Sequence, residues 1–255
     1  MNNIATLILA AGKGTRMNSD LAKVLHKING RPLVHYVIDV ALALGSERTI
    51  LIIGHQREKV IDECKHLPVE YAIQDKQLGT GHAVMMTEEL LKNYDHDVLV
   101  LSGDVPLLTL STLQNLVQIH QTSDALATLL TSRLDDPSGY GRVIRNSDNQ
   151  VIKIVEHKDA SEEELKINEI NVGIYIFKCR PLFKSLKEVK NDNSQGEYYL
   201  PDVVKMYVDA GKKVVAHLTD NFDETRGINT VTQLREAETI LFNRRKKNID
   251  IEQFT

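Results

Sequence analysis

The chain has 255 residues, of which 42% are hydrophobic and 26% charged, a globular composition that excludes wholesale disorder and fibrous repeats. With 31 basic against 35 acidic residues the net charge is −4, so nucleic acid is a poor expectation for a partner. The two cysteines, Cys64 and Cys179, form no CxxC or Cys/His cluster, and no apolar run is long enough to span a bilayer. These features predict reduced thiols in a cytoplasmic protein that does not enter a membrane.

In chain order, Ile4–Ala11 is a nearly unbroken apolar run that leads into Gly12-Lys-Gly-Thr-Arg16. Such a run predicts a strand buried on both faces that ends in a glycine loop. A helix follows from Pro32, a proline suited to the first turn, to about Leu44, with Gly45 as its stop. The alternation then predicts strand Thr49–Ile53, helix Arg57–Lys65, strand Val69–Ile73, helix Gly81–Lys92, strand Asp97–Leu101, helix Ser111–His120 and strand Ala125–Leu130. This order implies an α/β architecture with a mostly parallel, doubly wound sheet. Beyond the turn cluster Pro137–Gly141, the short stretches Arg142–Arg145, Val151–Val155 and Ile170–Phe177 predict a small antiparallel, lid-like extension. A helix over Tyr199–Ala210, a strand over Val214–His217 and a helix from Val231 to about Lys246 complete the reading. The basic run Arg244–Lys247 reads as a solvated helix end.

Ligands of open parallel sheets bind beyond the carboxyl ends of the strands, and three loops of unusual composition lie there. In the first, small residues let backbone N–H groups approach an anion, and Lys13 and Arg16 supply positive charge. The loop lacks the Walker spacing, and Met17 stands where a dinucleotide fingerprint needs its third glycine. Lys23, a few residues on, can reach the same place. The second loop, Gln74–Ala83, sets a two-glycine turn beside a carboxamide, Gln74, able to pair with the edge of a base. The third, Leu101–Leu107, carries Asp104, placed to hold Mg²⁺ beside phosphates or simply to cap a turn. The polar segments Glu156–Asp159, Asn168–Gly173 and Gly196–Tyr199 offer carboxylates and carboxamides of the kind that sugar hydroxyls require. Neither His82 nor His157 has a Ser or Cys partner in the pattern, and neither receives a catalytic role.

Taken together, Leu9–Arg16, Lys23–Leu25, Gln77–Ala83, Gly103–Leu107, Pro137–Arg142, Val155–Asp159, Glu169–Asn171 and Gly196–Tyr199 resemble the uridylyltransferase domain of bacterial N-acetylglucosamine-1-phosphate uridylyltransferases of the GlmU type. The resemblance runs in order from about residue 4 to residue 230. It implies a Rossmann-like nucleotide-diphospho-sugar transferase fold, with a nucleotidyltransferase domain over residues 1–227 and a C-terminal helical arm over 228–255.

It also implies a reaction between UTP and N-acetylglucosamine-1-phosphate that yields UDP-N-acetylglucosamine and pyrophosphate. Leu9, Ala10, Ala11 and Gly12 with Gln74, Gly79 and Thr80 would hold the uridine. Arg16 and Lys23 would grip the phosphates as the catalytic cations. Asp104 and Asn229 would bind Mg²⁺, while Gly103, Gly141, Glu156 and Asn171 would hold the sugar; read from the residues alone, Asn229 is an N-cap for the last helix. Two positions depart from the family pattern. Ser102 stands where an aromatic residue is frequent, and Val172 where a threonine is usual. The acetyltransferase half of such proteins, a hexapeptide-repeat β-helix that also forms their trimer, has no counterpart here, so the expectation is one activity in a monomer or weak dimer. Competing expectations are a related enzyme for another nucleotide or sugar-1-phosphate, and a nucleotide-sugar sensor without catalysis.

Overall fold

The computed structural model describes residues 3–17 and 19–252, with side chains described through residue 244. The chain runs through β1 (Ile4–Ala10), the hairpin β2 (Lys27–Ile28) and β3 (Arg31–Pro32), α1 (Leu33–Ala43), β4 (Arg48–Ile53), α2 (Arg57–Cys64), β5 (Glu70–Ile73) and α3 (Thr80–Met85). It continues through β6 (Asp97–Ser102), α4 (Leu110–Ser123), β7 (Ala127–Arg133), β8 (Gly141–Arg145), β9 (Val151–Val155), α5 (Glu162–Leu165) and β10 (Glu169–Lys178). The last elements are α6 (Cys179–Leu186), α7 (Asp202–Asp209), β11 (Val214–Leu218), α8 (Phe222–Thr225) and α9 (Val231–Glu252).

The main sheet has the order β11-β7-β10-β6-β1-β4-β5. Its pairs β1–β4, β1–β6, β4–β5 and β7–β11 are parallel, as the alternating pattern predicts. β1 is apolar at every position but Thr6 because it sends side chains into two cores. Ile4, Ile8 and Ala10 pack with α1, α2 and α4 residues such as Val37, Val60 and Leu116. Ala5 and Leu7 pack on the other face with α3, α6 and α7 residues such as Val84, Phe183 and Val204. Chain direction across the sheet reverses at β1, since β4 and β5 lie on one side of it and β6 on the other. That reversal opens a cleft beyond the β1 and β6 carboxyl ends.

The structure differs from the sequence reading at several elements. Ile170–Phe177 belongs to β10, which lies inside the main sheet, antiparallel to both β6 and β7. Only its first residues also pair with β8, which with β9 forms the small antiparallel extension. β7 runs on to Arg133 because its polar end is paired and buried, with Thr131 Oγ1 donating to Glu169 Oε1 at 2.8 Å. Pro32 closes a hairpin whose Asn29 and Gly30 both have positive φ, and helix α1 starts one residue later. Helix α3 stops at Met85 rather than Lys92, and the Thr87 hydroxyl turns back onto the Val84 carbonyl at 2.7 Å. Helix α6 lies outside the predicted elements, although its buried Cys179, Leu182, Phe183 and Leu186 follow helical spacing. Within the predicted basic run, Arg244 donates to the Leu107 carbonyl at 2.6 Å rather than facing solvent, and the side chains of residues 245–247 lie outside those described. Both cysteines are free and buried, and burial pushes the Cys64 thiol up to about 12. Among the described residues no helix is long and apolar enough to cross a membrane.

A buried polar knot fixes the opposite end of the central strands. Asp97 at the start of β6 lies 2.9 Å from Lys178 Nζ and 3.5 Å from Nε2 of the fully buried His120, whose Nδ1 meets Thr128 Oγ1 at 2.8 Å. Burial alone would raise the Asp97 pKa, but His120 and Lys178 outweigh it and hold the carboxyl below its ordinary value. A depressed carboxyl stabilises the fold fully above its unfolded pKa of about 3.9, and that contribution disappears as pH falls through the folded value. Asp97→Asn is therefore expected to cost about 1–3 kcal/mol at neutral pH and to flatten the acid limb of the stability profile. Urea unfolding between neutral pH and the acid limb checks this; an unchanged limb would remove Asp97 from the account.

Candidate functional site

The cleft at the reversal point has a volume of about 300 Å³ and is lined by Leu9, Ala11, Gly12, Lys23, Gln74, Gly79, Thr80, Ser102 and Asp104, among others. Six of the seven residues expected at the nucleotide thus share one wall system, and Ala10 is buried just behind it. The β1 and β6 ends are held level by the Gly103 N–H, which donates to the Leu9 carbonyl at 2.9 Å.

The phosphate-side residues arrive from distant parts of the chain. Gly14, at φ +66°, packs against Lys23 so closely that a Cβ there would lie 2.6 Å from Lys23 Cβ. Lys23 itself pairs with Asp104 Oδ2 and donates to Asn229 Oδ1 at 2.6 Å. Arg16 donates to the same Asn229 oxygen at 2.7 Å. The backbone locks this arrangement, since the Ile228 N–H donates to the Asp104 carbonyl at 2.9 Å. Gly227 leaves room for the contact: a Cβ there would lie 3.2 Å from Asp104 Oδ2. Asn229 does not cap the last helix with its side chain; its Nδ2 donates to the Gly227 carbonyl at 3.2 Å. Lys13 is exposed.

On the base side, Gln74 as a whole residue is 3% exposed. Its Nε2 contacts the Gly79 carbonyl at 3.1 Å and His82 Nδ1 at 3.0 Å. Segment Gly196–Tyr199, which sequence reasoning associates with sugar hydroxyls, braces the glycine turn. The Tyr198 N–H donates to the Leu78 carbonyl, and the Gly81 N–H donates to the Tyr198 carbonyl, each at 2.8 Å. Gln56 is a further contributor that no motif reveals. Its Oε1 accepts from the Ala22 N–H at 3.0 Å and its Nε2 donates to the Asp20 carbonyl at 2.6 Å, which fixes the loop before Lys23.

The residues expected at the sugar divide. Gly141 and Asn171 face each other in the β8–β10 register, and a Cβ on Gly141 would lie 3.3 Å from Glu156 Oε1, so these three form a cluster. Gly103 is buried at the β1–β6 end instead, and Glu156 also lines a neighbouring cavity of about 440 Å³. The two regions meet where Ser102 Oγ lies 3.8 Å from the Cβ position of Gly173. The Asn171 Nδ2 is already engaged with the Tyr175 hydroxyl at 2.6 Å. Burial, with Asp159, Asp202 and Glu197 nearby, pushes the Glu156 pKa above the ordinary glutamate value.

The family model described as nucleotidyl transferase matches residues 5–224, which includes every one of these loops except the segment carrying Asn229. The chain belongs to the nucleotidyl transferase family. A bifunctional protein GlmU of Exiguobacterium sibiricum is 51% identical over 244 residues, which are 96% of this chain and 54% of that protein. A bifunctional protein GlmU of Bacillus cereus strain AH187 is 47% identical over 250 residues, 98% of this chain and 54% of that protein. The chain thus spans about half the length of these relatives. A crystal structure of UDP-glucose pyrophosphorylase complexed with UDP-glucose superposes with a TM-score of 0.75 at 18% identity, over 96% of this chain and 100% of that one, and shares the fold of this nucleotidyl transferase.

Proposed function

We propose that this nucleotidyl transferase moves the uridylyl group of UTP onto N-acetylglucosamine-1-phosphate and releases pyrophosphate in the cytoplasm. The observation that carries the reading is the convergence of Arg16, Lys23, Asp104 and Asn229 beside the Gln74 cleft. The similarity to proteins called GlmU supports it over most of the chain. Residues 1–227 would form the transferase unit and 228–255 the helical arm.

Mg²⁺ fits the chemistry of Asp104 and Asn229. Their side-chain oxygens already meet at one cation, the Lys23 ammonium, and a carboxylate with a carboxamide leaves positions for phosphate oxygens. When bound there, Mg²⁺ would neutralise charge on the triphosphate. The nucleophile is the substrate's own phosphate oxygen. It forms the new bond to the α-phosphorus while the bond from that phosphorus to the pyrophosphate oxygen breaks, so the protein needs no nucleophilic side chain. Arg16 and Lys23 oppose the negative charges that would otherwise repel each other, and Leu9–Gly12 hold the nucleotide in line. Glu156, with Gly141 leaving space beside it, would accept from a sugar hydroxyl.

Pyrophosphate release across four nucleotides and several sugar-1-phosphates tests the reading. UTP with N-acetylglucosamine-1-phosphate should be the fastest pair; binding of UTP with no release from any pair would favour a sensor. The raised Glu156 pKa adds a pH signature. Its carboxylate is lost at a higher pH than that of an ordinary glutamate, so KM for the sugar phosphate should rise by about tenfold on acidification, and Glu156→Gln should abolish that dependence. Steady-state kinetics from neutral to mildly acid pH decide it, and a KM that is flat in the parent protein sinks the assignment.

A further inference from the structure

We propose that His82 is a positioning residue that holds the Gln74 carboxamide in one orientation, so that an oxygen acceptor meets the base and uracil is preferred over cytosine. The inference rests on the uridine reading above and extends it to a residue that is not among those lining the cleft.

A carboxamide offers two N–H donors on one side and one carbonyl oxygen on the other. Gln74 leaves strand β5 with its backbone fixed, its N–H donating to the Ile53 carbonyl at 2.8 Å. One acceptor for its Nε2 is the Gly79 carbonyl at 3.1 Å, which can never donate. The second is His82 Nδ1 at 3.0 Å. With both N–H groups used inside the protein, the atom left for a ligand in the cleft is Oε1, to which no side chain or backbone donor runs among the described residues. A flipped amide would set its oxygen against the Gly79 carbonyl and against the lone pair of the imidazole.

His82 fills this role only as a neutral ring with its proton on Nε2, because Nδ1 must offer a lone pair. Burial lowers its pKa from the ordinary value, which favours that neutral form. The ring is seated beside Tyr198, with centroids 6.3 Å apart, on the segment that braces the glycine turn. Uracil presents an N3–H that Oε1 can accept. Cytosine presents a lone pair at the same atom, so the fixed acceptor repels it. Without His82, one N–H of a nearly inaccessible amide loses its partner, and the amide gains reason to rotate.

The test is the kinetics of pyrophosphate release with UTP and with CTP, alongside calorimetric binding of each nucleotide. His82→Phe keeps a ring and deletes the acceptor, whereas His82→Asn restores an acceptor oxygen. His82→Phe is expected to raise KM for UTP about tenfold, with kcat changed far less, and to lower the UTP-to-CTP ratio of kcat/KM by about tenfold. His82→Asn should recover most of that ratio. Should His82→Phe not fold, His82→Ala is measured against the same criteria. An unchanged ratio in a folded variant, or a fall in kcat at constant ratio, overturns the inference. Calorimetry separates the two readings. Absence of pyrophosphate release in the parent protein sinks the transferase reading alone, whereas equal parent affinities for UTP and CTP sink the role of His82.

Discussion

Arg16→Ala is expected to slow pyrophosphate release by about 10²–10³-fold, the loss typical of removing one preorganised charged donor from a developing anionic centre. The exposed guanidinium donates to Asn229 Oδ1 at 2.7 Å, and that contact holds it beside Lys23 and Asp104 before any substrate arrives. Because Arg16 is exposed, its removal should change unfolding free energy by no more than about 0.5 kcal/mol. The effect therefore divides cleanly: a large fall in kcat with an unmoved melting curve. Arg16→Lys is expected to recover little, since an ammonium cannot hold Asn229 and a phosphate through separate N–H groups of one plane. Single-turnover rates and thermal unfolding on the same samples check both parts. A kcat near that of the parent protein would take Arg16 out of the reaction.

The contrast between Arg16 and the residues that brace it shows what a sequence can carry. Strands β1, β4 and β6 are legible because burial on both faces writes long apolar runs, and the loops that follow them are legible because glycine and charge interrupt those runs. β10 was legible as a strand but not in its place, because nothing in its own residues states that β6 and β7 flank it. The Asn29-Gly30 hairpin carried a clear turn signal, yet its strands of two residues are too short to show any period. At the site, the motifs mark the residues that would touch ligand. Asn229 entered only through resemblance, since it is 213 positions from Arg16, and its own neighbourhood reads as a helix start. Gln56, His82 and Tyr198 were not found as contributors for a physical reason. Each acts by holding another group, through contacts as distant as the 120 positions between Leu78 and Tyr198. A polar residue that supports another has no composition of its own to announce it.

Gly79→Ala is the substitution expected to cost most in stability within the cleft, about 2–4 kcal/mol from backbone strain and overpacking together. Gly79 has φ +105°, a conformation that side chains rarely adopt, and a Cβ there would lie 2.6 Å from the Tyr198 carbonyl oxygen and 2.9 Å from its nitrogen. Neither side can easily give way. Tyr198 is tied to the same turn through its hydrogen bonds with Leu78 and Gly81, so moving it breaks the brace that shapes the loop. Relaxation of the turn would instead carry off the Gly79 carbonyl that fixes the Gln74 amide, and with it the base contact. Gly81→Ala provides the internal comparison. It meets the same carbonyl at 2.9 Å but has no positive φ, so it should bear only the packing part of the penalty. For a domain of this size, thermal unfolding of Gly79→Ala should come roughly 5–15 °C early, with Gly81→Ala between it and the parent protein. Equal melting temperatures for the two variants would show that crowding, and not the left-handed backbone, sets the requirement for glycine at position 79.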